Sequence, residues 1–218
     1  MKVEIWSDVA CPFCYIGKKR FEKALDRFAQ KEKIEVEWKS YQLDPSLPAT
    51  ASESLPEYLA RQKGMSLADV GRMFENVTQM ASEEGIEMHM DRVKAANTAT
   101  MHRLIQLAKT RGMGAKAEEK FFEAYFAGKD FTNEQVLLEI AGAVGLELTE
   151  AQAVIVHNEA YAEEMARDIY EARSIGVQGV PFFVFNDKYT VSGAQHADTF
   201  LGALERSFQE WEEAFGSA

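Results

Sequence analysis

Apolar and polar residues alternate in two short runs near the start of the chain, which is the pattern of half-buried β-strands. The runs are KVEIWS at 2–7 and KIEVEWKSYQL at 33–43. Between them, from Pro12 onward, apolar residues recur at helical spacing and lysine, arginine and glutamate occupy the opposite face, which predicts an amphipathic helix. The first part of the chain is therefore predicted to form a strand, a helix and a second strand.

The spacing becomes helical throughout the stretch 44–174, and no strand pattern interrupts it. Helices are predicted over 55–63, 67–84, 98–111, 115–127, 133–144 and 150–174, the last one broken near His157 and Asn158. Four of them have residue pairs with the spacing of a helix start, namely Ser54 and Glu57, Ser66 and Asp69, Thr132 and Gln135, and Thr149 and Gln152. This middle block is expected to be all-helical.

Strand periodicity returns in the segment VPFFVFNDKYTVSG, whose two apolar runs are joined by an Asn-Asp pair, and this predicts a β-hairpin. The stretch HADTFLGALERSFQEWEEAF at 196–215 then predicts a closing amphipathic helix. The order of elements therefore predicts one α/β unit, made of residues 1–43 and 175–218, which is interrupted by the helical block at 44–174.

The composition allows a sizeable core, because 46% of the 218 residues are hydrophobic. Acidic residues outnumber basic ones 35 to 24, and this surface charge would repel nucleic-acid phosphates and anionic lipids. The N-terminal stretch MKVEIWSDVACPF lacks the apolar run of a secretory signal or a membrane span. We therefore expect a soluble, cytoplasmic protein with no nucleic-acid or membrane partner, either a monomer or a homodimer.

Both cysteines of the chain, Cys11 and Cys14, stand where the first strand meets its helix, separated by Pro12 and Phe13. If Pro12 takes the first helical position, Cys11 becomes the N-cap, where unpaired backbone amides favour the thiolate. Cys14 then lies almost one turn further along the helix, near enough to attack a mixed disulfide formed by Cys11. Cys11 is predicted to be the nucleophile and Cys14 the resolving thiol.

A metal site, a structural disulfide and a chance spacing are weaker alternatives for the cysteine pair. A zinc site needs about four ligands, and the remaining candidates, His89, His102, His157 and His196, are far from the pair in sequence. A structural disulfide across so short a loop would stabilise the fold little. Dithiol redox chemistry is favoured, and no metal site is predicted.

Pro181 opens an otherwise good strand, although its missing N–H prevents a complete hydrogen-bond ladder. One possibility is a trans proline on an edge strand. The second is a cis Val180–Pro181 bond beside Cys11, which exposes the Val180 backbone so that an extended substrate can pair with it. We adopt the second as a hypothesis, with Val180 and Pro181 as substrate-binding residues.

Three motifs carry a resemblance to a known family. The first, S-D-x-x-C-P-[WF]-C-Y-x-G, is matched by Ser7, Asp8, Cys11, Pro12, Phe13, Cys14, Tyr15 and Gly17. The others are N-T-x-x-x-H-R-L, which includes Asn97 and His102, and V-x-G-A-Q, which begins at Val191. With these motifs, essentially the whole chain resembles the DsbA family, most closely its cytoplasmic FrnE-like branch.

The resemblance implies an α/β thioredoxin-like fold with a large all-helical insertion, so that 1–43 and 175–218 form the thioredoxin-like domain. It implies thiol–disulfide exchange with protein or small thiol substrates, with no cofactor except glutathione as a candidate co-substrate. It also suggests that Asn97 and His102 line the substrate cleft. The competing interpretation is that Asn97 caps a helix and that His102 is an ordinary helix residue.

Two departures from the family pattern limit the analogy. Phe13 stands where exported DsbA oxidants resemble C-P-H-C, so we expect weaker oxidising power. Many thioredoxin-like proteins carry a buried acid six residues before the nucleophile, where this chain has Ile5. Whether Glu4 substitutes for that acid is open, and the base that deprotonates Cys14 is left unassigned.

Two more function classes remain as alternatives. One is a glutathione-dependent isomerase or transferase, which resembles the 2-hydroxychromene-2-carboxylate isomerase and kappa-class relatives of the same fold. These relatives look as if they use serine at the nucleophile position, whereas Cys11 and Cys14 together favour electron transfer. The second class is a non-catalytic binding module, which an unreactive Cys11 would favour. The direction of electron flow is not set by the sequence.

Overall fold

The computed structural model of the protein describes residues 1–50 and 53–215. A four-stranded sheet has the strand order β2–β1–β5–β6, and a separate ladder joins β3 to β4. The strands are β1 (Lys2–Ser7), β2 (Glu35–Ser40), β3 (Glu53–Ser54), β4 (Lys94–Ala95), β5 (Phe182–Phe185) and β6 (Tyr189–Ser192). Residues 51–52 of the predicted helical block and residues 216–218 of the predicted α/β unit lie outside the described residues.

The helices follow the predicted order. They are α1 (Pro12–Arg27), α2 (Leu55–Lys63), α3 (Leu67–Glu83), α4 (Ala99–Lys109), α5 (Gly114–Phe126), α6 (Glu134–Val144), α7 (Leu148–Val156), α8 (Ala162–Ser174) and α9 (Ala197–Phe215). The predicted break near residue 157 is confirmed as the gap between α7 and α8. Within the described part of the chain, every helix is too short or too polar to cross a membrane.

The sheet is mixed, and α1 and α9 cover one of its faces. β1 is parallel to β2 and antiparallel to β5, which forms the predicted hairpin with β6. Phenylalanines hold this layer together: the rings of Phe183 and Phe200 lie 4.5 Å apart, and those of Phe21 and Phe183 lie 5.6 Å apart. This βαβ plus ββα arrangement is the predicted thioredoxin-like fold.

The opposite face of the sheet is covered by α8, which lies inside the range predicted for the helical insertion. The indole Nε1 of Trp6 donates to the backbone oxygen of Asp168 at 2.8 Å. The Asp168 carboxylate accepts from the backbone N–H of Ser40 at 2.9 Å. In its packing, α8 therefore belongs with the sheet.

The remaining helices, α2–α7, surround a second core that also contains Cys11, Cys14 and Ile16 of α1. The expectation that this block is all-helical is wrong in one detail. Glu53 and Ser54 pair with Ala95 and Lys94 in an antiparallel ladder. Two residues per strand are too few to produce an alternating pattern, and for this reason the ladder is invisible in the periodicity.

Two of the four predicted helix starts are confirmed. The hydroxyls of Ser54 and Ser66 accept backbone N–H groups at the beginnings of α2 and α3. The other two are wrong: Asn133, not Thr132, caps α6, and α7 begins one residue before Thr149. The Asn133 side chain accepts from the amide two residues ahead, whereas the Thr132 hydroxyl donates to Asp130.

Candidate active site

The two cysteines lie at the N-terminus of α1, directly after the central strand β1. Pro12 occupies the first turn and Cys11 is the N-cap, with an extended backbone at φ −95° and ψ 110°. The backbone N–H of Cys14 donates to the Cys11 oxygen at 3.0 Å. Both side chains are free thiols, and both are buried. The predicted position of the pair at a strand-to-helix junction is therefore confirmed.

The Cys11 sulfur contacts the loop before β5. Its thiol donates to the backbone oxygen of Val180 at 3.5 Å, and the Val180–Pro181 peptide bond is cis. No hydrogen bond from the α1 amides to the Cys11 side chain is formed. The structure thus brings together Cys11, Val180 and Pro181, which are about 170 positions apart in the chain.

Gly17 allows α1 to pass close to this loop. A Cβ atom at position 17 would lie 3.0 Å from Cγ of Pro181 and 3.5 Å from Cα of Ala194. Few real Cβ contacts are this short, so a larger side chain would push the helix and the loop apart. In the sequence Gly17 stands out only as part of a motif, and the structure supplies its physical reason.

Cys14 is completely buried behind Cys11. Burial raises the pKa of the Cys14 thiol well above its usual value, and the neighbouring Cys11 raises it further. A hydrogen bond from the backbone of Asp8 lowers the pKa of Cys14 but does not outweigh burial. The Ser7 hydroxyl is itself buried and has no hydrogen bond among the described residues. Cys14 is consequently a neutral thiol near neutral pH.

His102 is fully buried and does not line the cleft beside Cys11, so the suggestion that it contacts substrate there is corrected. Its Nε2 lies 3.2 Å from Oδ1 of Asp8, which does line the cleft. Burial lowers the pKa of His102, but the hydrogen bond and the charge of Asp8 raise it more, so that it lies above its ordinary value. His102 can therefore act on the cleft only through Asp8.

Asn97 is not among the residues that line the cleft, and its role in substrate binding stays a prediction. Its Oδ1 accepts from the N–H of Ala99, the first residue of α4, at 2.8 Å. Its Nδ2 donates to the backbone oxygens of Pro45 and Leu47 at 3.1 and 2.9 Å. Asn97 stands one residue before Thr98, the N-cap of α4, and its side chain bonds the first amide of the helix. It also holds the segment around Leu47, which forms one wall of the cleft.

Glu4 does not replace the buried acid of other thioredoxin-like proteins. Its carboxylate lies 2.8 Å from the Lys2 ammonium and 2.9 Å from the Lys39 ammonium. Successive residues of a strand point to opposite faces, so Glu4 faces α8 together with Trp6, whereas Ile5 faces the α1 layer.

A buried carboxyl group at Glu118 of α5 was not predicted from the sequence. Burial raises its pKa to about 7, although the charges of His102 and Lys18 lower it. Its Oε2 has no hydrogen-bond partner among the described residues. A signal was present, because Glu118 falls on the apolar stripe of α5 that includes Ala117 and Phe122.

The cleft beside Cys11 is a cavity of about 400 Å³, which lies between the thioredoxin-like elements and the helical block. Pro12 and Phe13 of the motif line it, and Phe13 is 39% exposed. The other walls come from several separate elements, and their main side chains are those of Leu43, Leu47, Leu55, Tyr58, Leu59, Met73, Phe74, Val77, Met90 and Tyr125. These residues share no local motif, and the cavity was therefore not predicted from the sequence.

Among residues 1–50 and 53–215, no three or more histidine, cysteine, aspartate or glutamate side chains form a cluster suited to a metal ion. The chemistry available at this site is that of the two thiols, the backbone of Val180 and the Asp8 carboxylate. Such an arrangement suits reversible exchange of disulfides.

A protein-family model and a solved structure both match nearly the whole chain. The family model described as "DSBA-like thioredoxin domain" matches residues 2–205. The crystal structure of the probable DsbA oxidoreductase SCO1869 from Streptomyces coelicolor superposes with a TM-score of 0.93 at 38% identity, covering 96% of this chain and 91% of that one.

Two more distant matches extend the comparison. A 2-hydroxychromene-2-carboxylate isomerase structure has a TM-score of 0.69 at 15% identity, covering 98% of this chain and 99% of that one, and at this identity it shows the fold alone. Uncharacterized protein YwbO of Bacillus subtilis (strain 168) is 23% identical over 205 residues, which are 93% of this chain and 94% of YwbO.

Proposed function

The chain belongs to the family of DSBA-like thioredoxin domains, and on that basis we propose that Cys11 and Cys14 form a redox pair that exchanges disulfides with thiol- or disulfide-bearing substrates. The proposal places the protein in the FrnE-like branch and in the cytoplasm, as a monomer or homodimer. The three sequence motifs support the branch, and a cysteine content confined to one CxxC pair supports the compartment.

The observation that carries the proposal is the arrangement of the pair against Val180. Cys11 donates to the Val180 oxygen at the edge of an open cavity, while Cys14 is sealed behind it. One sulfur can therefore meet a substrate, and the other can meet only Cys11. This division into an attacking and a resolving thiol is what dithiol exchange requires.

In the reductive direction, the Cys11 thiolate attacks one sulfur of a substrate disulfide, and the first substrate thiolate leaves and takes up a proton. Cys14 then loses its proton and attacks the Cys11 sulfur, which releases the second substrate thiol. Two electrons pass from the pair to the substrate, and a Cys11–Cys14 disulfide remains. The oxidative direction is the same sequence reversed.

The Val180 oxygen lies 3.5 Å from the Cys11 sulfur, at the edge of the cavity. We propose that Val180 and Pro181 form the docking edge for the substrate backbone next to the mixed disulfide. In this proposal Pro12 and Phe13 complete the active-site motif, and Phe13 supplies an apolar surface at the cavity entrance. Glutathione is a candidate small-thiol co-substrate, to be compared with other thiols.

The deciding experiment compares the wild-type protein with Cys11→Ser and Cys14→Ser variants in the reduction of a small disulfide. We expect Cys14→Ser to stop after one mixed disulfide, detected by mass spectrometry, and Cys11→Ser to form none. Turnover by Cys14→Ser with glutathione would favour the isomerase or transferase alternative. An unreactive Cys11 in the wild-type protein would favour a non-catalytic binding module.

The direction of the reaction follows from the reduction potential of the pair, measured by equilibration with glutathione buffers. About 30 mV corresponds to about 1.4 kcal/mol for two electrons, so modest differences separate an oxidase from a reductase. Phe13 in place of a histidine predicts a potential lower than that of the exported oxidants. A Phe13→His variant is therefore expected to have a higher, more oxidising potential than the wild type.

A further inference from the structure

The cavity beside Cys11 is predominantly apolar. Leucine, methionine, phenylalanine, valine and tyrosine side chains from α2, α3 and α5 form its walls, and Leu43 and Phe13 are exposed large apolar residues of its lining. A volume of about 400 Å³ is that of a site for a small organic molecule. Met73 and Met90 add flexible side chains that adapt to ligand shape.

The charged groups of the lining do not provide a partner for a buried anion. Asp44 is already bound to the hydroxyls of Ser46 and Tyr58, and Asp8 is bound to His102. Among the described lining residues, Lys63 is the single cation, and it is solvent-exposed. A ligand carboxylate placed deep in this cavity would lose its water without gaining a counter-charge.

Tyr125 is one of the neutral polar side chains of the lining, which also include Tyr58, Gln62 and Thr98. Tyr125 is almost completely buried, and no hydrogen bond of its hydroxyl is found in the described part of the chain. Burial raises the pKa of this hydroxyl, so it stays protonated and can donate to a neutral acceptor on a ligand. The lining therefore fits a predominantly apolar molecule whose polar groups are neutral.

From these features we propose that the cavity selects small apolar disulfides and thiols that carry no carboxylate. This inference rests on the proposed redox function of Cys11 and Cys14. The sulfur of such a ligand lies beside Cys11 while its apolar groups fill the cavity. The pair reduces the disulfide to two thiols and becomes a Cys11–Cys14 disulfide, so electrons and protons balance as in the general exchange.

The first test measures binding without exchange. Dibenzyl sulfide and bis(4-carboxybenzyl) sulfide have the same skeleton, and neither can react with a thiol by disulfide exchange. We expect the wild-type protein to bind the neutral sulfide at least about tenfold more tightly, by calorimetry or NMR titration. Equal binding of the two sulfides, or tighter binding of the dicarboxylate, overturns the proposal.

A charge placed in the lining should reverse this preference. Met73 is half-buried in the cavity wall, whereas Met80, also half-buried and on the same helix α3, is not a lining residue. We expect Met73→Lys to weaken binding of the neutral sulfide and to strengthen binding of the dicarboxylate by about tenfold. Met80→Lys should keep the wild-type preference. The same behaviour in both variants contradicts the assignment of the ligand to this cavity.

The second test measures exchange. The reduced protein is mixed with dibenzyl disulfide, its 4-carboxy analogue, glutathione disulfide and an apolar peptide disulfide, and each rate is divided by that of free dithiothreitol. We expect the normalised rate to be highest for dibenzyl disulfide. A faster peptide overturns the choice of a small ligand. Exchange with none of the disulfides overturns the proposed redox function, whereas normal exchange without selectivity overturns this inference alone.

Discussion

His102 Nε2 lies 3.2 Å from Asp8 Oδ1 and joins residues that are 94 positions apart in the chain. Asp8 belongs to the turn that precedes Cys11, and its second carboxylate oxygen accepts from the backbone N–H of Leu43 at 2.7 Å. One buried pair therefore connects α4 of the helical block with the active-site turn and with the segment after β2. The backbone N–H of Cys11 donates to the Asp8 backbone oxygen at 2.9 Å, so this connection adjoins the predicted nucleophile.

We predict that Asp8→Asn and His102→Gln each lower the free energy of unfolding, by about 3 kcal/mol, because each leaves a buried charge without its partner. The double variant should lose less than the sum, with a coupling of about 1–3 kcal/mol. Urea unfolding followed by circular dichroism measures all four proteins. His89→Gln, at a partly exposed histidine paired with Glu87, is the control and should change stability by less than about 0.5 kcal/mol. Strict additivity would contradict the coupling.

The loss of stability caused by His102→Gln should depend on pH in a definite direction. The pKa of His102 is raised in the folded protein, so its charge stabilises the fold below the ordinary histidine value. That stabilisation is lost as the pH rises through the folded pKa. His102→Gln should therefore cost more stability at pH 5 than at pH 9, as measured by urea unfolding at both values. A larger loss at the higher pH would show that the imidazole is not stabilised as a cation.

Replacing the buried Glu118 by glutamine is expected to stabilise the protein at alkaline pH. Burial raises its pKa from 4.5 to about 7, so the neutral carboxyl stabilises the fold below 4.5 and this contribution is lost as the pH rises through about 7. Glu118→Gln keeps the shape without the charge. At pH 8 we expect it to raise the free energy of unfolding by up to about 3 kcal/mol, and at pH 4.5 to leave it nearly unchanged.

Glu119, the next residue of α5, is the matched control for the Glu118→Gln prediction. Burial raises the pKa of Glu119, but its bonds to Lys18 and Lys19 lower it more, so the net shift is downward. Its contribution to stability is present above the ordinary carboxyl value and is lost as the pH falls through the folded pKa. Glu119→Gln should therefore reduce stability at pH 8. The same direction of change in both variants would contradict the assigned burial of Glu118.

Gly17 predicts a substitution whose effect depends on Pro181. Glycine to alanine within a helix ordinarily adds about 1 kcal/mol of stability. At Gly71 of α3, where a Cβ meets nothing within 4 Å, we expect this gain. At Gly17 the contact of the added Cβ with Pro181 cancels this gain in stability for Gly17→Ala. The larger substitution Gly17→Val should lower the melting temperature and slow disulfide exchange at Cys11. An equal gain in stability from Gly17→Ala and Gly71→Ala would contradict the close approach of α1 to the loop before β5.

The elements that were predicted correctly are those with a local cause. Periodicity located the helices and strands, and a proline after Cys11 located the start of α1. Pro181 was found because a proline conflicts with the strand pattern around it. Each of these signals depends on residues that are neighbours in the sequence.

The features that were missed depend on residues brought together by the fold. The cavity is formed by side chains from five or more separate segments, and no single segment is unusual by itself. Asn97 and His102 belong to a recognisable motif, yet neither is a lining residue of the cleft, and each contacts a residue that lines it, Leu47 and Asp8 respectively. A motif shows which residues matter, whereas the orientation of their side chains depends on packing.

The packing of α8 gives the last prediction. The sequence pattern places this helix in the insertion because it follows other helices, but Asp168 anchors it to the sheet by accepting from the Ser40 backbone and from the Gln106 side chain, at 2.9 and 2.5 Å. Asp168→Ala leaves both donors buried and should lower the free energy of unfolding by about 2–4 kcal/mol. Glu164→Ala removes the same charge from the exposed side of α8 and should change it by less than about 0.5 kcal/mol. Equal effects of the two variants, measured by urea unfolding, would mean that α8 does not depend on this contact with the sheet.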